Sequence, residues 1–182
     1  MCRRTTPSLR IALALPALIA LHASPGAVPA AAQVAALAGR FAYVADESDD
    51  IEQAIDRGTA ELNFFKRPIA RGRLRDVNAA YQTVEIEQTR SSIAIGFDGH
   101  PPIVTPADGA PIRWRRDDGE VFRVRAEWLD DALIQVFTAD DGQRENLYTL
   151  DPDGRTLRMR VTITSRQLPA PIVYTLVYRR VE

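Results

Sequence analysis

One cysteine, Cys2, and two histidines, His22 and His100, are all that 182 residues offer toward thiol or imidazole chemistry. A disulfide framework, a Cys/His zinc site and a haem-attachment motif are excluded by that shortage. Lysine is almost missing as well, since Lys66 stands alone beside 22 arginines. Against 24 acidic residues these leave a formal charge of −1, which argues against a generally basic nucleic-acid binder. With 46% hydrophobic and 26% charged residues the chain is neither disordered nor collagenous in composition, and its length suits one globular domain plus an extra segment.

That extra segment stands at the start. Arg3, Arg4 and Arg10 precede the apolar run from Ile11 to Leu21, and small residues follow up to Ala30-Ala31-Ala32. This is the pattern of a secretory signal peptide over residues 1–32. The run has 11 residues and is interrupted by Pro16, about half of the roughly 20 needed for a transmembrane helix, so stable membrane insertion is not expected. Cys2 lies ahead of the run, where it does not serve as a lipid anchor. The expected product is a periplasmic or secreted protein in which 20 basic residues face 24 acids, with no cysteine. It must then rest on a hydrophobic core, which a domain of about 150 residues is large enough to build.

After an alanine-rich linker, residues 33–38, Phe41, Tyr43 and Ala45 alternate with Arg40, Ala42 and Val44 as a short first strand. Asp49 followed by Glu52 reads as a capping box. The apolar positions Ile51, Ala54, Ile55, Leu62, Phe65 and Ile69 then share one helical face. Pro68 breaks the pattern, giving helices over about 49–66 and 69–76.

From Gln82 the period changes to 2, and Asp- and Gly-rich turns such as Asp98-Gly99, Asp117-Asp118-Gly119 and Asp140-Asp141-Gly142 recur. The result is a mainly β chain, an antiparallel up-and-down barrel of about 8–10 strands behind a helix-turn-helix lid. Hairpin arithmetic sets Trp114 opposite Phe122, Trp128 opposite Leu133, Val124 opposite Phe137, Tyr148 opposite Leu157 and Asn146 opposite Met159, so apolar faces meet across five strands. For the last strand the alternation leaves two facings open: Tyr174, Tyr178 and Arg180 inward, or Thr175, Val177 and Arg179.

One strand opening Gly-x-aromatic, a helix-turn-helix and a meander of about nine strands resemble the calycin superfamily, lipocalin-like in architecture and closest in element order to the fatty-acid-binding proteins. Gly39-Arg40-Phe41 stands where lipocalins carry Gly-x-Trp, and Arg179 or Arg180 stands where they carry a late Arg. The chain also looks like small exported bacterial proteins with a lipocalin-like barrel, a resemblance that implies no activity. The family resemblance implies a barrel closed over a small hydrophobic or amphiphilic ligand.

The candidate ligand-binding residues are Trp114, Phe122, Trp128, Gln135, Phe137, Asn146, Tyr148, Met159, Tyr178 and Arg180. Gln135, Asn146 and Tyr148 share an inward face with aromatics, where buried amides and phenols need partners; these are either one another, a water, or the polar end of a ligand. Tyr178 and Arg180 resemble, in reversed order, the Arg-x-Tyr pair with which fatty-acid-binding proteins hold a carboxylate. Lys66, Arg67, Arg71, Arg73 and Arg75 form a basic cluster that either attracts anionic heads or pairs with acids of the neighbouring helix. His100 has no nucleophile beside it, no acidic loop follows the EF-hand pattern, and no cofactor motif is present. The expected function is binding or carrying a hydrophobic or amphiphilic molecule in the envelope, with no catalysis, metal or nucleic acid. The alternative is a filled barrel acting as an envelope interaction or structural module.

Overall fold

The computed structural model describes residues 37–181, so the signal-peptide segment and residues 33–36 of the linker lie outside the described residues. Strand β1 (Gly39–Tyr43) leads through a 3-10 turn at Ala45–Glu47 into helices α1 (Ile51–Gly58) and α2 (Lys66–Val77). Nine strands follow: β2 (Thr83–Gln88), β3 (Ser92–Phe97), β4 (Ile103–Pro106), β5 (Ile112–Arg115), β6 (Val121–Leu129), β7 (Ala132–Thr138), β8 (Gly142–Leu150), β9 (Thr156–Ser165) and β10 (Ile172–Val181). All ladders are antiparallel, and the order β4-β3-β2-β1-β10-β9-β8-β7-β6-β5 wraps one sheet into a barrel. The sheet ends, β4 and β5, form no ladder with each other, although β4 lies beside β5 and β6. The barrel is therefore nearly closed, with a seam between two edge strands.

The first helix is shorter than the apolar pattern implies, whereas the second starts earlier and is longer. Asp50, not Asp49, caps α1, its carboxylate accepting from the Gln53 amide at 3.1 Å. Asp49 instead ties the lid to the wall, exchanging backbone and side-chain hydrogen bonds with Thr175 of β10. The helix ends at Gly58, where a Cβ would come within 2.4 Å of Ile172 Cγ1, and Thr59 turns its hydroxyl back onto the Ile55 carbonyl. Pro68 does not separate the helices; it sits in the first turn of α2, where the missing N–H has no partner to lose. Asn63 closes that turn by accepting from the Lys66 amide at 2.9 Å. Phe65 and Ile69 consequently face outward, with exposures of 79% and 60%.

The expected registers hold on the β5 to β7 side, where Trp114 pairs with Phe122, Val124 with Phe137 and Trp128 with Leu133. Between β8 and β9 the register differs by two residues: Tyr148 faces Met159, Asn146 faces Val161 and Leu150 faces Leu157. The four-residue loop begins one position later than expected, because Asp151 closes it by donating its amide to the Thr156 carbonyl at 2.8 Å. A slip of two preserves which face each side chain takes, so the inward set survives.

Pairing of Tyr43 with Tyr178 settles β10, whose Tyr174, Leu176 and Tyr178 join the core. The main core also holds Phe41, Ile55, Ile86, Ile95, Leu133, Leu157 and Met159, each fully buried, and Leu37 from the segment before β1. Burial of one such side chain stabilises by roughly 1.5–3 kcal/mol. A second cluster at the seam joins Ile103 of β4 to Val124 and Phe137, with Ile112, Trp114 and Phe122 packed against it.

Candidate functional site

The alternation of β7 and β8 turns Gln135, Asn146 and Tyr148 inward, and the 135–146 and 133–148 register pairs bring them side by side. Tyr148 donates its hydroxyl to Gln135 Oε1 at 2.9 Å, and Asn146 Nδ2 lies 3.2 Å from Tyr148 Oη and 3.3 Å from Gln135 Oε1. The three residues are buried to within 1%. Met159 lies across from Tyr148, and Tyr178 stands two strands away on the same inner wall.

Two donors in this region find no acceptor. Gln135 Nε2 and Tyr178 Oη are buried and without a hydrogen-bond partner. A buried donor left in that state costs about 1–3 kcal/mol. Burial is also the main cause that pushes the Tyr148 and Tyr178 phenols well above the ordinary tyrosine range, with each ring's neighbourhood adding to it for Tyr178 through Tyr148. Both hydroxyls therefore keep their protons.

Sequence reasoning missed the cation that heads this network. Arg144 has the same parity on β8 as Asn146 and Tyr148 and pairs with Phe137, which places it on the inner face. Its Nε donates to Asn146 Oδ1 at 2.9 Å and its Nη1 to Asn78 Oδ1 at 3.0 Å. Asn78, just past α2, also accepts from the Tyr174 hydroxyl at 3.3 Å and donates to the Leu74 carbonyl at 2.8 Å. Arg144 thus joins the barrel wall to the lid. No ion pair found among the described residues involves it. The guanidinium is half-buried, with the side-chain amide oxygens of Asn146 and Asn78 as its hydrogen-bond partners at the lid end of the network.

The other expected site residues gather in two further places. Trp114, Phe122 and Phe137 form an aromatic triangle beside the seam, with ring centroids 5.8–6.2 Å apart, and Trp114 and Phe122 remain partly accessible. At the barrel end opposite the lid, Trp128 Nε1 donates to Gln88 Oε1 of β2 at 2.8 Å. Arg180 lies at that end too: its guanidinium sits 4.6 Å over the Phe41 ring, and it donates to the Ala38 carbonyl at 2.7 Å and the Gly154 carbonyl at 3.1 Å. Gly39 makes room for it. The Gly-x-aromatic triplet and the late Arg therefore meet, while Tyr178, two residues earlier, belongs to the central network.

Two of the five residues of the basic cluster pair with acids of α1. Arg71 pairs with Asp56 at 3.0 Å and Arg75 with Glu52 at 3.1 Å, and Arg67 donates to the Leu62 carbonyl. A hollow of about 540 Å³ on the lid is lined by Phe64, Phe65, Pro68 and three of these arginines.

No protein-family model matches the sequence, and no curated protein is similar to it. Solved structures are. A protein described as the REP1-NXSQ fatty acid transporter superposes with a TM-score of 0.53 at 17% identity, over 81% of this chain and 98% of its own. The fluorescent protein UnaG superposes with a TM-score of 0.54 at 15% identity, over 81% of this chain and 99% of its own. The fold is thus the one these two solved barrels share.

Proposed function

We propose that this chain is an exported protein that binds a small hydrophobic or amphiphilic molecule, the polar end held near Arg144 and the apolar part against the barrel wall. The observation that carries the reading is Arg144: a half-buried cation on the inward-facing parity of β8, hydrogen-bonded to Asn146 and Asn78 and engaged in no ion pair found among the described residues. An anionic head would supply the missing charge and accept charge-assisted hydrogen bonds. The fold agrees, since barrels of this topology have an interior suited to one small ligand. The partly accessible Trp114 and Phe122 at the unlaced seam offer an apolar route inward. Export is supported by the arginine-flanked apolar run of the first 32 residues.

Isothermal titration of the protein with hexadecanoic acid tests the reading. Saturable binding of one molecule per chain is expected, weakened about tenfold or more in Arg144→Gln, the cost of one charge-assisted hydrogen bond. Absence of saturable binding would remove the proposal.

A second reading, a filled barrel that docks another macromolecule, is favoured by one observation. Leu133, Tyr148, Met159 and Tyr178 have no accessible surface, and the best-formed hollows lie outside, on the lid and beside β1 and β2. In that case the same titration shows no uptake.

A further inference from the structure

The central network asks for more than an anionic head. Arg144, Asn146, Tyr148 and Gln135 form one connected chain of hydrogen bonds running inward from the lid. Beyond its inner end stand two neutral donors, Gln135 Nε2 and Tyr178 Oη, with neither a protein acceptor nor accessible surface for water. Gln135 spends only its carbonyl oxygen, on Tyr148 and Asn146. Tyr178 spends nothing. Packing alone gives no reason for the hydroxyl: a phenylalanine would fill the same volume without stranding a donor.

Resting on the reading that an amphiphile binds at Arg144, we propose that its chain carries a second, uncharged acceptor, a keto or comparable carbonyl oxygen, received by Tyr178 Oη, the buried hydroxyl with no protein acceptor. A second carboxylate does not suit the position. Gln135 and Tyr178 are neutral donors, burial keeps the Tyr148 and Tyr178 phenols protonated, and among the described residues the cation hydrogen-bonded to this network is Arg144, at its lid end. A carbonyl oxygen accepts from a neutral donor and needs no counter-charge, which matches a protonated, unpartnered phenol. A plain alkyl chain would leave the Tyr178 hydroxyl stranded in the complex as it is in the free protein.

The test is a titration series with octadecanoic acid and oxo-octadecanoic acids bearing the carbonyl at successive chain positions, on the wild type and on Tyr178→Phe. At least one oxo acid is expected to bind about tenfold more tightly than octadecanoic acid, the worth of one good hydrogen bond. In Tyr178→Phe that ratio is expected to fall toward one. A series in which octadecanoic acid binds as well as every oxo acid overturns the inference and leaves the binding function standing. So does a preference that Tyr178→Phe leaves intact. If octadecanoic acid and all its oxo derivatives fail to bind, the reading at Arg144 falls and takes this inference with it.

Discussion

Gly39 and Arg180 form a pair whose geometry depends on the absence of a single carbon. The φ of Gly39 is +142°, and a Cβ there would lie 2.2 Å from Arg180 Nη1, which is stacked over Phe41. Gly39→Ala must therefore both strain the backbone and push the guanidinium off the ring and the Ala38 carbonyl. We expect a loss of about 1–3 kcal/mol in chemical denaturation, as is usual when a strained backbone position and a buried contact are disturbed together. Unchanged stability would show that Arg180 closes nothing. At this scale the Gly39-Arg40-Phe41 triplet and a late arginine, Arg179 or Arg180, were legible as features of a resemblance, but the stacking of Arg180 over Phe41, across most of the chain, was not. Arg144 was not legible as an inward group, although its parity with Asn146 and Tyr148 was in plain view. A charged residue in a strand is read as outward by default, and the partners that hold this one half-buried include Asn78, 66 residues away along the chain, as well as the nearby Asn146.

The lid shows how an element's limits can be set by its neighbour and not by its own pattern. Apolar spacing continues past Gly58 to Leu62, Phe65 and Ile69, yet α1 ends at Gly58, where the missing Cβ leaves room for Ile172 of β10. No reading of the helix alone contains that contact. The same proximity gives a prediction against helix propensity. Alanine favours a helix over glycine by about 1 kcal/mol, so Gly58→Ala on an isolated helix would stabilise. Here the 2.4 Å approach to Ile172 Cγ1 should reverse the sign, lowering thermal stability, and a companion Ile172→Ala should make the two changes less than additive. The β8–β9 hairpin carries a related lesson. Its loop length of four residues was readable, but its starting point depended on the Asp151–Thr156 closure, and Asp153 fixes it further by accepting from the Arg155 and Thr156 amides at 2.8 and 2.9 Å.

For the whole molecule, period-2 alternation and turn spacing carried the strand number, the inward faces and the barrel, because a half-buried sheet tolerates no odd slip. The seam between β4 and β5 was not visible in them, since a missing ladder leaves no mark on alternation. The interior makes stability sensitive to alkali. Tyr148 and Tyr178 have folded-state pKa values raised by burial, so their contribution is fully present below the ordinary tyrosine value of about 10 and is lost as pH rises above it. Unfolding followed by circular dichroism should accordingly steepen above about pH 10, with a shallower dependence in Tyr178→Phe. An identical profile in the variant would mean that Tyr178 ionises as freely folded as unfolded.

Whether the barrel holds a small amphiphile is tested by native mass spectrometry of the protein purified from its own cells, followed by organic extraction. One amphiphilic molecule per chain is expected, released on unfolding and depleted in Arg144→Gln. A mass equal to that of the bare polypeptide, unchanged after incubation with long-chain acids, would contradict it.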